Sequence, residues 1–77
     1  MIKVLFFAHL REEAGTSSVD WNGVGNTLLI SKEKLADEYG LSNLENAMMA
    51  VNEEFESDDY VLKAGDTLAF IPPVSGG

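Results

Sequence analysis

From Ile2 to His9 the chain reads Ile-Lys-Val-Leu-Phe-Phe-Ala-His, a short run of β-branched and aromatic residues ended by polar ones. Such a run predicts a strand, and its alternation sorts the side chains onto two faces. Ile2, Val4, Phe6 and Ala8 make one face wholly apolar, while Lys3, Leu5, Phe7 and His9 make the other, polar at both ends. A second such run, Thr67 to Ile71, turns Leu68 and Phe70 to one side and Thr67, Ala69 and Ile71 to the other. A chain of 77 residues buries only about 60% of its unfolded surface and has room for one core. Both inner faces must share it. Leu5, Phe7, Ala69 and Ile71 then come together on the sheet face that the core leaves over, where they predict a protein-binding surface.

The segments between these runs follow the same logic. Arg11 to Ala14 is a helical turn stopped by Gly15 as a C-cap. Val19 and Trp21 alternate with Ser18 and Asp20 as a half-buried second strand, forming a hairpin with the first. Asn22 to Asn26 is a loop by composition. The main helix ends at Gly40 and starts after a cap at either Thr27 or Ser31, with Leu28, Leu35, Ala36 and Tyr39 on one face for the longer form. Leu41 to Asn46 is a second short helical piece with Ser42 as cap, and Met48 to Val51 is a strand. Asn52 to Asp59 is an acidic loop carrying Phe55, either tucked into the core or extending the outer patch. Tyr60 to Leu62 is a brief extended piece, and Lys63-Ala64-Gly65-Asp66 turns into the last strand. Two strands, one principal helix and two or three further strands predict an α+β fold with the helix across one face of a mixed sheet. If the first and last strands lie side by side, the arrangement is a β-grasp.

Several functions are excluded on composition. The chain has no cysteine, so disulfides, thiolate metal sites and a cysteine nucleophile are absent, which fits a reducing cytoplasmic setting. Thirteen acidic residues oppose five basic ones, for a net charge of −8. That balance repels nucleic-acid phosphates and anionic membranes and suits a basic protein partner. The apolar run near Lys3 is cut short by His9, Arg11, Glu12 and Glu13, far below the ~20 residues of a membrane span, and nothing suggests export. His9 is the single histidine, read as ending the first strand in solvent, so a zinc site is not expected. Glu53, Glu54, Glu56, Asp58 and Asp59 lack the spacing of an EF-hand and read as a solvated loop that steers a basic partner. Gly23-Val24-Gly25 is no dinucleotide fingerprint, and no serine stands in a nucleophile elbow.

The most informative segment follows the last strand: Pro72-Pro73-Val74-Ser75-Gly76-Gly77. The prolines lack N–H groups, so sheet pairing should stop there, and they favour an extended path away from the body. Val74 to Gly77 then reaches about 13–14 Å at roughly 3.3–3.6 Å per residue. Gly76 and Gly77 carry no side chains and pass where no other residue fits, bringing a terminal carboxylate deep into another protein's site. Residues 1–71 thus read as one domain and 72–77 as an extended, flexible tail.

Taken together, Met1-Ile-Lys-Val-Leu-Phe-Phe-Ala8, Leu10-Arg-Glu-Glu-Ala-Gly15, Ala50-Val-Asn52, Gly65-Asp66 and Phe70-Ile-Pro-Pro-Val-Ser-Gly-Gly77 resemble the small, sulfur-carrier subunits of molybdopterin synthases. These are ubiquitin-like β-grasp proteins, and the resemblance spans the chain. One departure is Ser31, where that family's helix usually carries an apolar residue. The resemblance implies a cycle in which an activating enzyme related to the ubiquitin-activating enzymes joins the Gly77 carboxylate to AMP from ATP. A sulfur donor then leaves a thiocarboxylate on Gly77, and the large synthase subunit uses it to sulfurate cyclic pyranopterin monophosphate. It implies Gly77 as the reacting residue, Gly76 for access, and Phe7, Arg11, Phe55, Ile71, Pro72, Pro73 and Val74 as partner contacts. No tightly bound cofactor or metal is implied: ATP is used by the activating enzyme, and the pterin sits in the large subunit. A thiazole-forming sulfur carrier, a ubiquitin-like modifier joined to lysines through Gly77, and a plain interaction module with an inert tail remain as alternatives.

Overall fold

In a computed structural model of the protein, which describes residues 1–42, 44 and 47–72, seven elements follow one another. They are β1 (Ile2–Phe6), α1 (His9–Ala14), β2 (Ser18–Trp21), α2 (Leu28–Tyr39), β3 (Met48–Val51), β4 (Glu54–Phe55) and β5 (Thr67–Ile71). The strands form one mixed sheet in the order β2-β1-β5-β3-β4. At its centre β1 and β5 run parallel, with Val4 opposite Leu68 and Phe6 opposite Phe70. The other three pairings, β1 with β2, β3 with β5 and β3 with β4, are antiparallel. This is the expected α+β arrangement.

The inner faces are those read from the alternation. Ile2, Val4, Leu68 and Phe70 are wholly buried, and Phe6 almost so. Phe6 stacks near-parallel on Phe70 with ring centroids 6.2 Å apart and meets Tyr39 of α2 at 5.7 Å. Helix α2 presents Leu28, Ser31 and Leu35 to this layer, one buried position per turn. Its N-cap is Thr27, whose hydroxyl oxygen accepts from the Ile30 N–H, so the longer helix is the observed one. Ser31 is buried without penalty because its hydroxyl donates to the Thr27 carbonyl at 2.8 Å. Gly15 and Gly40 close the two helices in the left-handed region at φ 78° and 67°, as C-caps require.

Three expectations need correction. The first strand stops at Phe6, not His9, because Ala8 turns to φ 53° and α1 begins. Ala8 is therefore exposed rather than part of the core face, and His9 opens a helix instead of ending a strand. The acidic segment is not all loop, since Glu54–Phe55 returns as β4, pairing Val51 with Glu54 and Ala50 with Phe55. Tyr60 to Leu62 contributes only a single bridge, Val61 to Thr27, although Leu62 itself is buried. Ser42 donates its hydroxyl and its N–H to the Glu13 carboxylate at 2.5 and 2.9 Å. Those two bonds, the hydroxyl first, hold Glu13 below the usual carboxylate range. Residues 43, 45 and 46 of the short helical piece lie outside the described residues.

The β3–β4 turn is Asn52-Glu53, with φ 52° and 72°, both in the left-handed region. A two-residue hairpin needs this geometry, and asparagine tolerates it, but glutamate does so at a cost. Glu53→Gly should therefore raise stability by about 0.5–1 kcal/mol, the left-handed penalty less the greater freedom of unfolded glycine. Urea unfolding measures it; an unchanged or lower midpoint would contradict the strain.

Candidate functional site: the open face of the sheet

Opposite α2, the sheet presents one register row running from the edge strand β4 across to β1. Phe55 of β4 stands beside Ala50 of β3, Ala50 beside Ala69 of β5, and Ala69 beside Leu5 of β1. The two central side chains are methyl groups and the two outer ones are large, so the row has a low floor and raised walls. Ile71 and Phe7 close one end; Thr67, Asn52 and Glu53 close the other. The result is a concavity of about 510 Å³, lined mostly by apolar carbon. Phe55 is 60% exposed and Phe7 46%, which leaves two aromatic rings in water on one face. Met48, opposite Ile71 in the register, is likewise half exposed and adjoins Phe55 in a smaller hollow. Clustered apolar groups of this kind are the mark of a surface that another protein covers.

The face gathers three of the sequence-predicted residues, Phe7, Phe55 and Ile71, along with Leu5 and Ala69. Phe55 belongs to the outer face and not to the core. Arg11 stands exposed on α1, outside the concavity. Pairing ends at Ile71, and Pro72, half-buried, comes next; Pro73, Val74, Gly76 and Gly77 lie outside the described residues. Glu53, which lines the concavity, and Glu54, Glu56, Asp58 and Asp59, which follow it in the chain, are all exposed. Among the described residues no group of three or more histidine and carboxylate side chains is placed to hold a metal ion, and no helix is long and apolar enough to cross a membrane.

The sequence reading missed the contributions of Ala50, Met48 and Asn52. Counting alternation backwards from Phe55 through a two-residue turn would have put Ala50 beside it, and Asn52 is the residue best suited to a left-handed turn position. Missed too was the group that anchors this turn. Asp66 is 8% exposed; its carboxylate accepts from the Lys63 N–H at 2.9 Å, the Asn52 amide at 2.9 Å and the Tyr60 hydroxyl at 3.2 Å. Burial alone would push this carboxyl up, but the three donors outweigh it and hold Asp66 below its ordinary value. Tyr60 is pushed up, by burial first and then by the Asp66 charge.

A mixed sheet with its terminal strands parallel at the centre, one principal helix on one face and an open apolar concavity on the other defines the ubiquitin-like β-grasp class. Solved structures agree. SAMP1, a small archaeal modifier protein from Haloferax volcanii, superposes with a TM-score of 0.79 at 28% identity over 99% of this chain and 98% of that one. The complex of subunits 1 and 2 of molybdopterin-converting factor from Helicobacter pylori holds a chain matching with a TM-score of 0.70 at 26% identity, over 99% and 97%. In sequence, the molybdopterin synthase sulfur carrier subunit of Escherichia coli is 38% identical over 81 aligned positions, covering 100% of both chains. Residues 4–77 match the ThiS family, and the chain belongs to it.

Because the folded carboxyl of Asp66 titrates below its unfolded value of about 3.9, its contribution is fully present above pH ~4 and disappears as pH falls through the depressed folded value. Asp66→Ala should cost about 1–3 kcal/mol at neutral pH, with the gap to the parent closing in acid. Urea midpoints of both proteins between about pH 7 and pH 2 test this; a gap that widens in acid would contradict it.

Proposed function

We propose that this chain is the sulfur carrier of a molybdopterin synthase, loaded at Gly77 and docked on its partners through the open sheet face. The reading draws on full-length kinship with sulfur carrier subunits. The observation that carries it is the position of Ile71. This last residue of β5 lines the concavity, so strand pairing ends at the rim of the surface a partner would cover.

The chemistry follows from the carboxyl group. An α-carboxyl with a pKa of about 3.3–3.7 is ionised at neutral pH and resists nucleophiles. Attack of the Gly77 carboxylate on the α-phosphorus of ATP, in an activating enzyme, forms the acyl–AMP anhydride and expels pyrophosphate. Sulfide-level sulfur from a donor then attacks the carbonyl carbon, the bond to AMP breaks, and the thiocarboxylate remains. In the large synthase subunit that sulfur passes to cyclic pyranopterin monophosphate. Gly76 keeps the approach narrow, while Phe7, Phe55 and Ile71 supply apolar anchorage, with Pro72, Pro73 and Val74 continuing it. Arg11 lies apart from the concavity and would pair with a carboxylate at the edge of a partner. Ordering each tail residue costs roughly 1–2 kcal/mol, and burial at the anchor must offset the sum. The absence of cysteine agrees with sulfur carried on the terminus, in a reducing cytoplasm.

Incubation with ATP, the activating enzyme and a sulfide donor should replace one oxygen by sulfur in the intact mass. Deleting Gly77 should abolish the product and Ser75→Ala should leave it; sulfur transfer without Gly77 would refute the proposal. Phe55→Ala should weaken docking to the large subunit by about tenfold or more while shifting stability by less than ~0.5 kcal/mol. The likeness to a small archaeal modifier protein favours one second reading, attachment of Gly77 to lysines. Mass-shifted conjugates in lysate, in place of a free thiocarboxylate, would establish that reading instead.

A further inference from the structure

Ala50-Val51-Asn52 and Gly65-Asp66 have no part in the chemistry above, yet the fold joins them. The Asn52 N–H donates to the Thr67 carbonyl at 2.9 Å, and the Thr67 N–H donates to Asn52 Oδ1 at 3.0 Å. Asn52 Nδ2 donates to Asp66 Oδ1 at 2.9 Å, while Asp66 Oδ2 is held by the Lys63 N–H and the Tyr60 hydroxyl. The tip of the β3–β4 hairpin is thus fastened to the start of β5. Strand β4 is otherwise placed by two register pairs and one backbone bond just beyond it, Glu56 N–H to the Met49 carbonyl at 3.3 Å, while its Phe55 side chain faces water rather than the core. A two-residue edge strand is marginal without tertiary support.

We propose that Asn52 and Asp66 are positioning residues for partner docking, a clamp that holds the hairpin so that Phe55 and Glu53 form one wall of the concavity. The inference rests on the proposed docking of a large synthase subunit at this face. Asp66 is not among the residues lining the concavity and need not touch the partner; Asn52, at one end of it, acts through the bonds it makes to Thr67 and Asp66. Their effect is to keep the wall preformed, so that its ordering is not charged against association.

A reciprocal exchange tests the clamp. Asn52→Asp sets two carboxylates against each other, and Asp66→Asn sets two amide donors against each other. Combined, they restore complementarity: the new amide at position 66 donates to the new carboxylate at position 52, which still accepts from the Thr67 N–H. Titration calorimetry against the large subunit, with thermal midpoints alongside, should show each single variant weakened by about tenfold or more. The double variant should return to within about threefold of the parent. Leu35→Ala, on the inner face of α2, should lose thermal stability and keep its affinity. Single variants that bind like the parent, a folded double variant that does not recover, or a Leu35→Ala protein that loses affinity in step with its stability would each overturn the proposal. If Phe55→Ala weakens binding and the clamp variants do not, only the clamp falls. A parent protein that does not bind the large subunit overturns the docking reading and the clamp together.

Discussion

The parallel pairing of β1 and β5 is the constraint on which the rest depends. It brings the two ends of the described chain to the middle of the sheet, where each strand is flanked on both edges and its backbone groups are satisfied. One side of this pair is sealed by α2. With one long helix among the described residues, the other side has no cover from them. The apolar outer face is therefore a consequence of topology, and its curvature is a consequence of residue size: Ala50 and Ala69 in the middle, Phe55 and Leu5 at the flanks.

The same pairing determines where the tail begins. Because β5 is central, the chain leaves it at Ile71 in the middle of the sheet and not at an edge. Ile71 is both the last residue of β5 and part of the concavity. On the proposed sulfur-carrier reading, the apolar anchorage therefore adjoins the point where the sheet ends.

Much of this was legible before any coordinates. Alternation in Ile2 to Phe6 and Thr67 to Ile71 separated inner from outer residues correctly, because a period of two leaves only two choices and a charge or hydroxyl on one side decides between them. Helix caps at Gly15 and Gly40 were legible for a similar reason, since few residues tolerate the left-handed region. The failures fall where local sequence is permissive. Ala8 looked like one more core residue until its backbone turned to φ 53°. Glu54–Phe55 carried a run of charge that masked a strand, because a two-residue edge strand is held by its neighbours rather than by its own composition.

The amino-acid sequence by itself determined the number of strands to within one, the principal helix and the two faces of β1 and β5. These are properties of short windows, where side-chain period and backbone preference act within a few residues. Tertiary structure alone decided that Ala50, Ala69, Leu5 and Phe55 share one row, that Asp66 reaches Asn52 and Tyr60, and that Phe55 faces water. Each of those facts depends on the register between strands distant in the chain. Register is set by the summed packing of the core, which no single segment contains.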